Sequence, residues 1–363
     1  MADFSEYTGP SEEWLALEPT LPAPPQDLSP TELRDSVNEG NEAAAAKEMV
    51  ELGLQARVKT YNFNIPTRDG SSIEACSYRP LSLPASQPLP VYIHLHGGGF
   101  IFGTLRSEDA NCSRIVTSLA DTNSPVVVVN ANYRHTPEHK YPTAWEDAED
   151  AFHWVHDNLS KIGGDGDKVI VGGISAGAWL TASLTLAQNL GKEEALSRRP
   201  KIRGQVLMIP CLVHADCYAP QLKRIRDPSV SSYVQNEHAP LLPMKRKKFF
   251  VGLLEVDGKK RGEGDRRLNP GNASAEEVKG LPPTVLGVAG RDPLRDEGLL
   301  YGELLNQNGV PTSTNVFSGL PHGFRRYGDK LSESKRWDQV ICEGIRWALS
   351  DPVATGQFEI KAQ

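Results

Sequence analysis

Short apolar runs alternate with longer amphipathic stretches along most of the chain. The apolar runs lie at residues 91–96, 125–134, 168–173, 204–210, 283–290 and 311–318. The stretches between most of these runs repeat apolar residues at helical spacing. Strands that are apolar on both faces and separated by helices are typical of a parallel sheet covered on both sides. The pattern therefore predicts an α/β fold, with a mostly parallel central sheet flanked by helices.

A hairpin and a helical region precede this alternation. The segments "VKTYNFNIPT" and "SSIEACSYRP" alternate around "RDG", which predicts two antiparallel strands. Ser29 and Glu32 have the spacing of a capping box at the start of a helix. We expect Gly40 and Gly53 to divide the following residues into two short helices. The proline-rich segment 18–30 is expected to be an extended arm.

The alternation of predicted strands and helices is interrupted at residues 212–280, which are polar and rich in proline and glycine. We interpret them as a mainly helical cap inserted over the carboxyl edge of the sheet. The predicted organisation is then a set of N-terminal cap helices at 1–57, a core in two parts at 58–211 and 281–363, and the cap insertion at 212–280.

Composition and charge exclude several classes of protein. The chain has 363 residues and a net charge of −7, so a general nucleic-acid or anionic-membrane binder is not expected. Its five cysteines are scattered, with no C-x-x-C pair and no disulfide framework. No secretory signal and no apolar run of membrane-spanning length are evident. We therefore expect a cytoplasmic protein, and no metal or organic cofactor is implied.

The cap insertion carries the opposite charge to the rest of the chain. Twelve Lys or Arg residues stand against seven Asp or Glu residues between positions 216 and 267. One interpretation is an ordinary solvated surface. The other is electrostatic steering of an anionic or polar substrate towards the cleft.

Ser175 is the candidate nucleophile. It lies in "VGGISAGAWL", which matches G-x-S-x-G through Gly173 and Gly177, at the end of a predicted strand and the start of a predicted helix. A strand-to-helix switch this abrupt needs small residues on both sides and exposes the hydroxyl at a helix N-terminus. A glycine-rich turn with an incidental serine is the alternative for the motif taken alone.

A serine nucleophile needs a base, and the base needs a carboxylate. His322 lies in the loop "SGLPHGFRRYG", after the last strand of the core. Asp292 follows the strand before it, so the order Ser, Asp, His is the one expected for this type of sheet. Asp296 in the next helix is an alternative acid; the other interpretation is that its charge favours the N-terminus of that helix.

The segment "HLHGGGF" predicts an oxyanion hole. The backbone N–H groups of Gly97, Gly98 and Gly99 can face a cavity without a side chain in the way, and the amide of Ala176 adds another donor. The apolar residues that follow are expected either to line a substrate pocket or to pack in the core; they are Phe100, Ile101 and Phe102.

Five motifs in order resemble the hormone-sensitive-lipase-like branch of the α/β-hydrolase carboxylesterases: "HGGGF", "YRHTPEHKYPTAWEDAEDAFHWV", "GISAG", "RDPLRDEG" and "PHGF". The resemblance covers roughly residues 58–350. It implies Ser175 as nucleophile, His322 as base, Asp292 as its partner, and a cap built from the N-terminal helices and the insertion. The chain departs from the family at Ile174, where an aspartate is usual, and in "YRHTPE", where "YRLAPE" is usual.

The resulting prediction is a serine carboxylesterase that cleaves small to medium esters or lactones through an acyl-enzyme on Ser175. A lyase or dehydratase on the same fold, and a non-catalytic ligand receptor, are the alternatives. The expected partner is a small-molecule ester. A homodimer formed through the C-terminal helix or the last strand is a further hypothesis.

Overall fold

Nine strands form one central sheet within residues 1–22, 28–258 and 262–362, which the computed structural model describes. The strands are β1 (Val58–Pro66), β2 (Ser72–Pro80), β3 (Leu89–Leu95), β4 (Val127–Ala131), β5 (Gly164–Ile174), β6 (Gly204–Met208), β7 (Thr284–Arg291), β8 (Thr312–Pro321) and β9 (Ile360–Ala362). Their order is β1-β2-β4-β3-β5-β6-β7-β8-β9. The pairs β1–β2 and β2–β4 are antiparallel and the other pairs are parallel, so the predicted hairpin and mostly parallel sheet are confirmed.

Helices cover both faces of this sheet. They are α1 (Glu12–Leu17), α2 (Pro30–Glu51), α3 (Asp109–Asp121), α4 (Thr143–Asp157), α5 (Leu159–Ile162), α6 (Ala176–Leu190), α7 (Glu194–Ser197), α8 (Ala219–Leu222), α9 (Ser232–Gln235), α10 (Met244–Leu253), α11 (Ala275–Val278), α12 (Arg295–Gln307) and α13 (Glu333–Ala348). Short 3₁₀ turns lie at Ser5–Tyr7, Glu18–Thr20, Leu54–Ala56, Arg106–Glu108, Ala215–Cys217, Pro228–Val230, Pro270–Asn272 and Phe324–Lys330. None of the described helices is both long and apolar enough to cross a membrane.

Alternate residues of each central strand enter opposite layers of the core. Ile93 of β3 packs in a cluster with residues of α4 and α6. Its neighbour Tyr92 packs in a second cluster with residues of α3 and α13. Because side chains alternate along a strand, this division places the two helix layers on opposite faces.

The N-terminal helical region differs from the prediction. The expected capping box is present, because Ser29 accepts a hydrogen bond from the Glu32 amide and the Glu32 side chain accepts one from Ser29. However, α2 runs without a break through Gly40 and ends just before Gly53, whose φ is 61°. A glycine inside a helix costs only about 0.5–1 kcal/mol. Ala45 packs in one cluster with Ala110 of α3 and with Leu54 of the 3₁₀ turn that follows α2, and this packing favours a continuous helix. Residues 23–27 of the expected extended arm lie outside the described residues.

Short helices and loops make up the described part of the insertion, and the start of α12 holds them on the core. The Lys247 ammonium lies 2.6 Å from a Glu297 carboxylate oxygen, with both side chains buried. Glu297 also accepts hydrogen bonds from the backbone amides of Leu212 and Val213. Ion pairing and backbone hydrogen bonds thereby fix the insertion above the carboxyl edge of the sheet.

The outer edge of β8 is covered by the chain itself. β9 pairs with β8 in parallel, with Thr314 opposite Ile360 and Val316 opposite Ala362. A dimer formed through the last strand therefore has to use β9, not β8.

Candidate active site

Ser175 occupies a sharp turn between β5 and α6. Its φ of 55° and ψ of −111° are unusual for a residue with a side chain. A Cβ added at Gly173 would lie 2.3 Å from the Gly177 carbonyl carbon, and one added at Gly177 would lie 2.0 Å from the Leu95 carbonyl oxygen. Both glycines are therefore required by close backbone contact, which explains why the sequence crowds small residues around this serine.

Asp292 and His322 follow two neighbouring strands. Arg291 at the end of β7 pairs with Pro321 at the end of β8, after an irregularity in the register at Ala289. Asp292 directly follows β7 and His322 directly follows β8. The pairing of these two strands therefore brings the two side chains together.

A continuous chain of hydrogen bonds joins the three predicted residues. His322 Nε2 lies 2.9 Å from Ser175 Oγ, and His322 Nδ1 lies 2.6 Å from Asp292 Oδ2. The Asp292 side chain is 1% exposed and that of His322 is 12% exposed. The backbone N–H of Leu294 donates to the other Asp292 oxygen at 2.9 Å. The carboxylate is thus shielded from solvent and held by a donor on each oxygen, while the imidazole edge faces the serine.

The alternative acid is engaged elsewhere. Asp296 accepts a hydrogen bond of 2.7 Å from the Ser232 amide of the insertion and pairs with Arg295 at 2.8 Å. Its position at the first turn of α12 contributes to holding the insertion and does not orient His322.

The glycine-rich loop presents backbone donors beside Ser175. Gly98 and Gly99 have φ values of 127° and 62°, which favour glycine. Within the described residues, their N–H groups donate to no other group. Ala176 opens α6 directly after the serine, and Gly97, Gly98, Gly99 and Ala176 all line the cavity that contains Ser175. The arrangement suits stabilisation of a developing oxyanion.

Sequence reasoning missed the residues that support this loop. His96 Nδ1 donates to the Gly97 carbonyl at 2.8 Å, and its other ring nitrogen contacts the Asn132 side chain. The Tyr133 ring stacks on His96, and its hydroxyl donates to the His96 carbonyl at 2.8 Å. Burial lowers the pKa of His96. The aromatic and polar residues of "NANYRH" were the available signal.

A cavity of about 1460 Å³ opens above Ser175, between α2, the insertion and the turn after β8. Phe100 lies at its wall and stacks on Trp145, with 4.8 Å between ring centroids. Phe102 also lines the cavity and packs edge-on against Phe250 at 5.5 Å. Aromatic surface beside Ser175 suits an apolar part of a ligand.

Ile101 corrects the expectation that three consecutive residues line this pocket. Its side chain is fully buried in the core and does not line the cavity. The N–H groups of Ile101 and Phe102 both donate to the Gly98 carbonyl, at 3.1 and 3.0 Å. This tight turn points successive side chains in different directions.

Most of the described basic residues of the insertion do not line the active-site cavity. Arg224, Arg266 and Arg267 pair with Glu303, Glu277 and Glu149, respectively. Residues 259–261, which the charge count included, lie outside the described residues. Of the basic residues in the count that the structure describes, Arg246 and Lys247 line the cavity. No described group of three or more His, Cys, Asp or Glu side chains is arranged to hold a metal ion.

The sheet order and the turn at Ser175 define a hydrolase fold. The sequence profile of the alpha/beta hydrolase fold matches residues 92–326, which is more than half of the chain. The chain belongs to this α/β-hydrolase family.

Relatives and solved structures with assigned names indicate which class of hydrolase the chain resembles. The chain is 32% identical to Esterase LipI of Mycobacterium tuberculosis, over 69% of this chain and 70% of the relative. The metagenomic carboxylesterase EstE1 superposes with a TM-score of 0.70 at 30% identity, covering 89% of this chain and 98% of the other. Vibralactone cyclase superposes with a TM-score of 0.81 at 25% identity, covering 95% and 96%. The resemblance to carboxylesterases and the predicted enzyme class, a carboxylic ester hydrolase, are confirmed.

Proposed function

We propose that this chain is a serine carboxylesterase that hydrolyses small to medium carboxylic esters or lactones through an acyl-enzyme on Ser175. The hydrogen-bonded chain from Ser175 through His322 to Asp292 is the observation that carries the proposal. A hydroxyl with a base at 2.9 Å and a buried carboxylate behind that base is the arrangement that serine acyl transfer needs.

In the acylation step, Ser175 Oγ attacks the ester carbonyl carbon while its proton moves to His322 Nε2. The carbonyl oxygen becomes an oxyanion, which the amides of Gly98, Gly99 and Ala176 stabilise, with Gly97 beside them. The tetrahedral intermediate then expels the alcohol, which takes the proton from His322 Nε2. Asp292 keeps the ring oriented and stabilises its positive charge throughout.

In the deacylation step, water attacks the acyl carbon and gives a proton to His322 Nε2. Collapse of the second tetrahedral intermediate releases the carboxylic acid and returns that proton to Ser175 Oγ. With a lactone, the alcohol stays joined to the acyl group through the carbon chain of the ring, so deacylation releases a single hydroxy acid. Phe100 and Phe102 contact the apolar part of the substrate in this proposal, because both line the cavity beside the nucleophile.

A panel of p-nitrophenyl esters of increasing acyl length tests the proposal. We expect turnover by the wild type, rapid labelling by a fluorophosphonate, and loss of both in Ser175→Ala. Ser86→Ala, in an exposed loop, is the matched control and retains both properties. Chain-length dependence of kcat/KM then measures how much of the cavity the acyl group fills.

Two outcomes separate the alternatives. A Ser175→Ala variant that keeps full activity on the physiological metabolite indicates a lyase, since elimination needs no acyl-enzyme. Tight ligand binding without turnover of any acyl substrate indicates a receptor. Homodimer formation and a cytoplasmic location stay predictions, which light scattering and cell fractionation test directly.

A further inference from the structure

Two arginines line the active-site cavity without an ion-pair partner among the described residues. Arg246 lies on α10 of the insertion, and Arg326 lies in the 3₁₀ turn that follows His322. Arg246 donates to the Leu241 carbonyl at 2.6 Å, which leaves the rest of its guanidinium available. The two residues reach the cavity from separate parts of the chain.

Most other charged groups in the cavity wall are neutralised locally. Arg114 and Arg325 both pair with Glu48 and Asp338, and Lys247 pairs with Glu297. Asp329 and Lys330 are exposed neighbours of opposite charge. The wall as a whole is therefore close to neutral, and the unpaired positive charge is concentrated at Arg246 and Arg326.

Arg326 lies beside the residue that follows His322. Its Nη2 and Nε atoms lie 3.6 and 3.8 Å from the point where a Cβ would stand on Gly323, the residue next to His322. Arg326 is exposed, and it lines the cavity. The surrounding protein lowers the pKa of Arg326, and the like charge of Arg246 adds to that effect. Two cations of like charge that line one cavity repel each other, and a bound anion relieves that repulsion.

We propose that Arg246 and Arg326 form a subsite for a carboxylate carried by the substrate, so that half-esters of dicarboxylic acids are preferred over neutral esters. The inference rests on the proposed esterase function. A guanidinium binds a carboxylate through two parallel hydrogen bonds, and such charge-assisted bonds are stronger than neutral ones. The subsite holds the free carboxylate while the ester carbonyl lies at Ser175.

The test compares two esters with acyl chains of equal length. p-Nitrophenyl hydrogen glutarate carries a free carboxylate, and p-nitrophenyl pentanoate carries a methyl group in its place. The measured quantity is the ratio of their kcat/KM values. We expect Arg326→Gln and Arg246→Gln each to lower this ratio by roughly 10- to 100-fold, since one charge-assisted hydrogen bond to the substrate is lost.

Three variants and one substrate control for indirect effects. Lys245→Gln removes the same charge from an exposed position beside Arg246 and leaves the ratio unchanged. Arg326→Lys keeps the charge but loses the fork, so it restores part of the ratio. A double variant at Arg246 and Arg326 lowers the ratio furthest. An ester of equal length ending in a phosphonate shows whether the subsite takes anionic oxygen groups in general or carboxylates in particular.

The inference and the proposed function fail in different ways. If the ratio is the same in wild type, Arg246→Gln and Arg326→Gln, the anion subsite is wrong while the esterase stands. If the wild type hydrolyses neither ester, the proposed function is wrong. Calorimetry of monomethyl glutarate with Ser175→Ala then tests the subsite without turnover, and binding that is unaffected by Arg326→Gln overturns it.

Discussion

Replacement of Asp292 by asparagine tests the proposed role of this carboxylate in the triad. The replacement changes the hydrogen-bond donors and acceptors at this position but hardly changes the shape of the side chain. The carboxylate accepts from the Leu294 amide at 2.9 Å on one oxygen and from His322 Nδ1 at 2.6 Å on the other. Asparagine has nearly the same shape but only one oxygen. Because the Leu294 N–H needs an acceptor, the asparagine oxygen turns towards it, and the NH₂ group faces His322.

This orientation places His322 in the wrong tautomer. Nδ1 has to accept a hydrogen bond from the asparagine NH₂, so the ring proton moves to Nε2. Nε2 is the atom that lies 2.9 Å from Ser175 Oγ, and once protonated it can no longer take the serine proton. Asparagine in this position of a serine triad lowers kcat by about 10⁴-fold, which corresponds to about 5 kcal/mol in the barrier.

The assay is kcat on p-nitrophenyl butyrate, with thermal unfolding to show that the variant is folded. Asp296→Asn is the control, because Asp296 binds the Ser232 amide and Arg295 instead of His322. We expect Asp296→Asn to lose stability, by about 1–3 kcal/mol for a disturbed buried hydrogen bond, and to keep the kcat of its folded fraction. A kcat for Asp292→Asn within tenfold of wild type, or a larger loss for Asp296→Asn, would refute the assignment.

Two further predictions concern stability. Gly177→Ala forces a Cβ to 2.0 Å from the Leu95 carbonyl oxygen and should prevent soluble folding. Gly40 lies inside α2 with open space around it, so Gly40→Ala should be tolerated. We expect that variant to raise the free energy of unfolding by about 0.5–1 kcal/mol, measured by urea titration. Burial and then the charge of Arg199 lower the pKa of His156 from 6.5 to about 4. As pH falls, the unfolded chain therefore binds a proton at His156 before the folded chain does, so the free energy of unfolding drops between pH 6.5 and 4. His156→Phe should remove roughly 1–3 kcal/mol of that drop. An identical pH profile of stability in the variant would contradict this role of His156.

Local patterns carried most of the fold prediction. The alternation around "RDG" predicted the β1–β2 hairpin, in which Ile65 lies opposite Ile73. The small residues around Ser175 indicated a sharp turn, because the constraint lies within five residues of the sequence. Each feature depends on neighbours along the chain, and the sequence displays such neighbours directly.

Features that depend on distant partners were not predictable in the same way. Gly40 was expected to interrupt a helix, and only the packing of Ala45 against Ala110 of α3 explains why it does not. Ile101 was grouped with its aromatic neighbours, although the turn at Gly98 sends it into the core. Arg246 and Arg326 are about 80 positions apart in sequence, and no local pattern indicates that both face one cavity.

The proposed triad illustrates the same limit in three dimensions. β5, β6, β7 and β8 are consecutive in the sheet, so β5 and β8 lie roughly 14 Å apart at the usual interstrand spacing. Asp292 and His322 meet by direct pairing of β7 and β8, but Ser175 stands at the end of β5, beyond β6. The irregular register after Ala289 and the turn at Gly323, whose φ is 70°, let His322 reach back across that gap. Strand order and this local distortion together determine the contact between serine and histidine, and chain order alone determines neither.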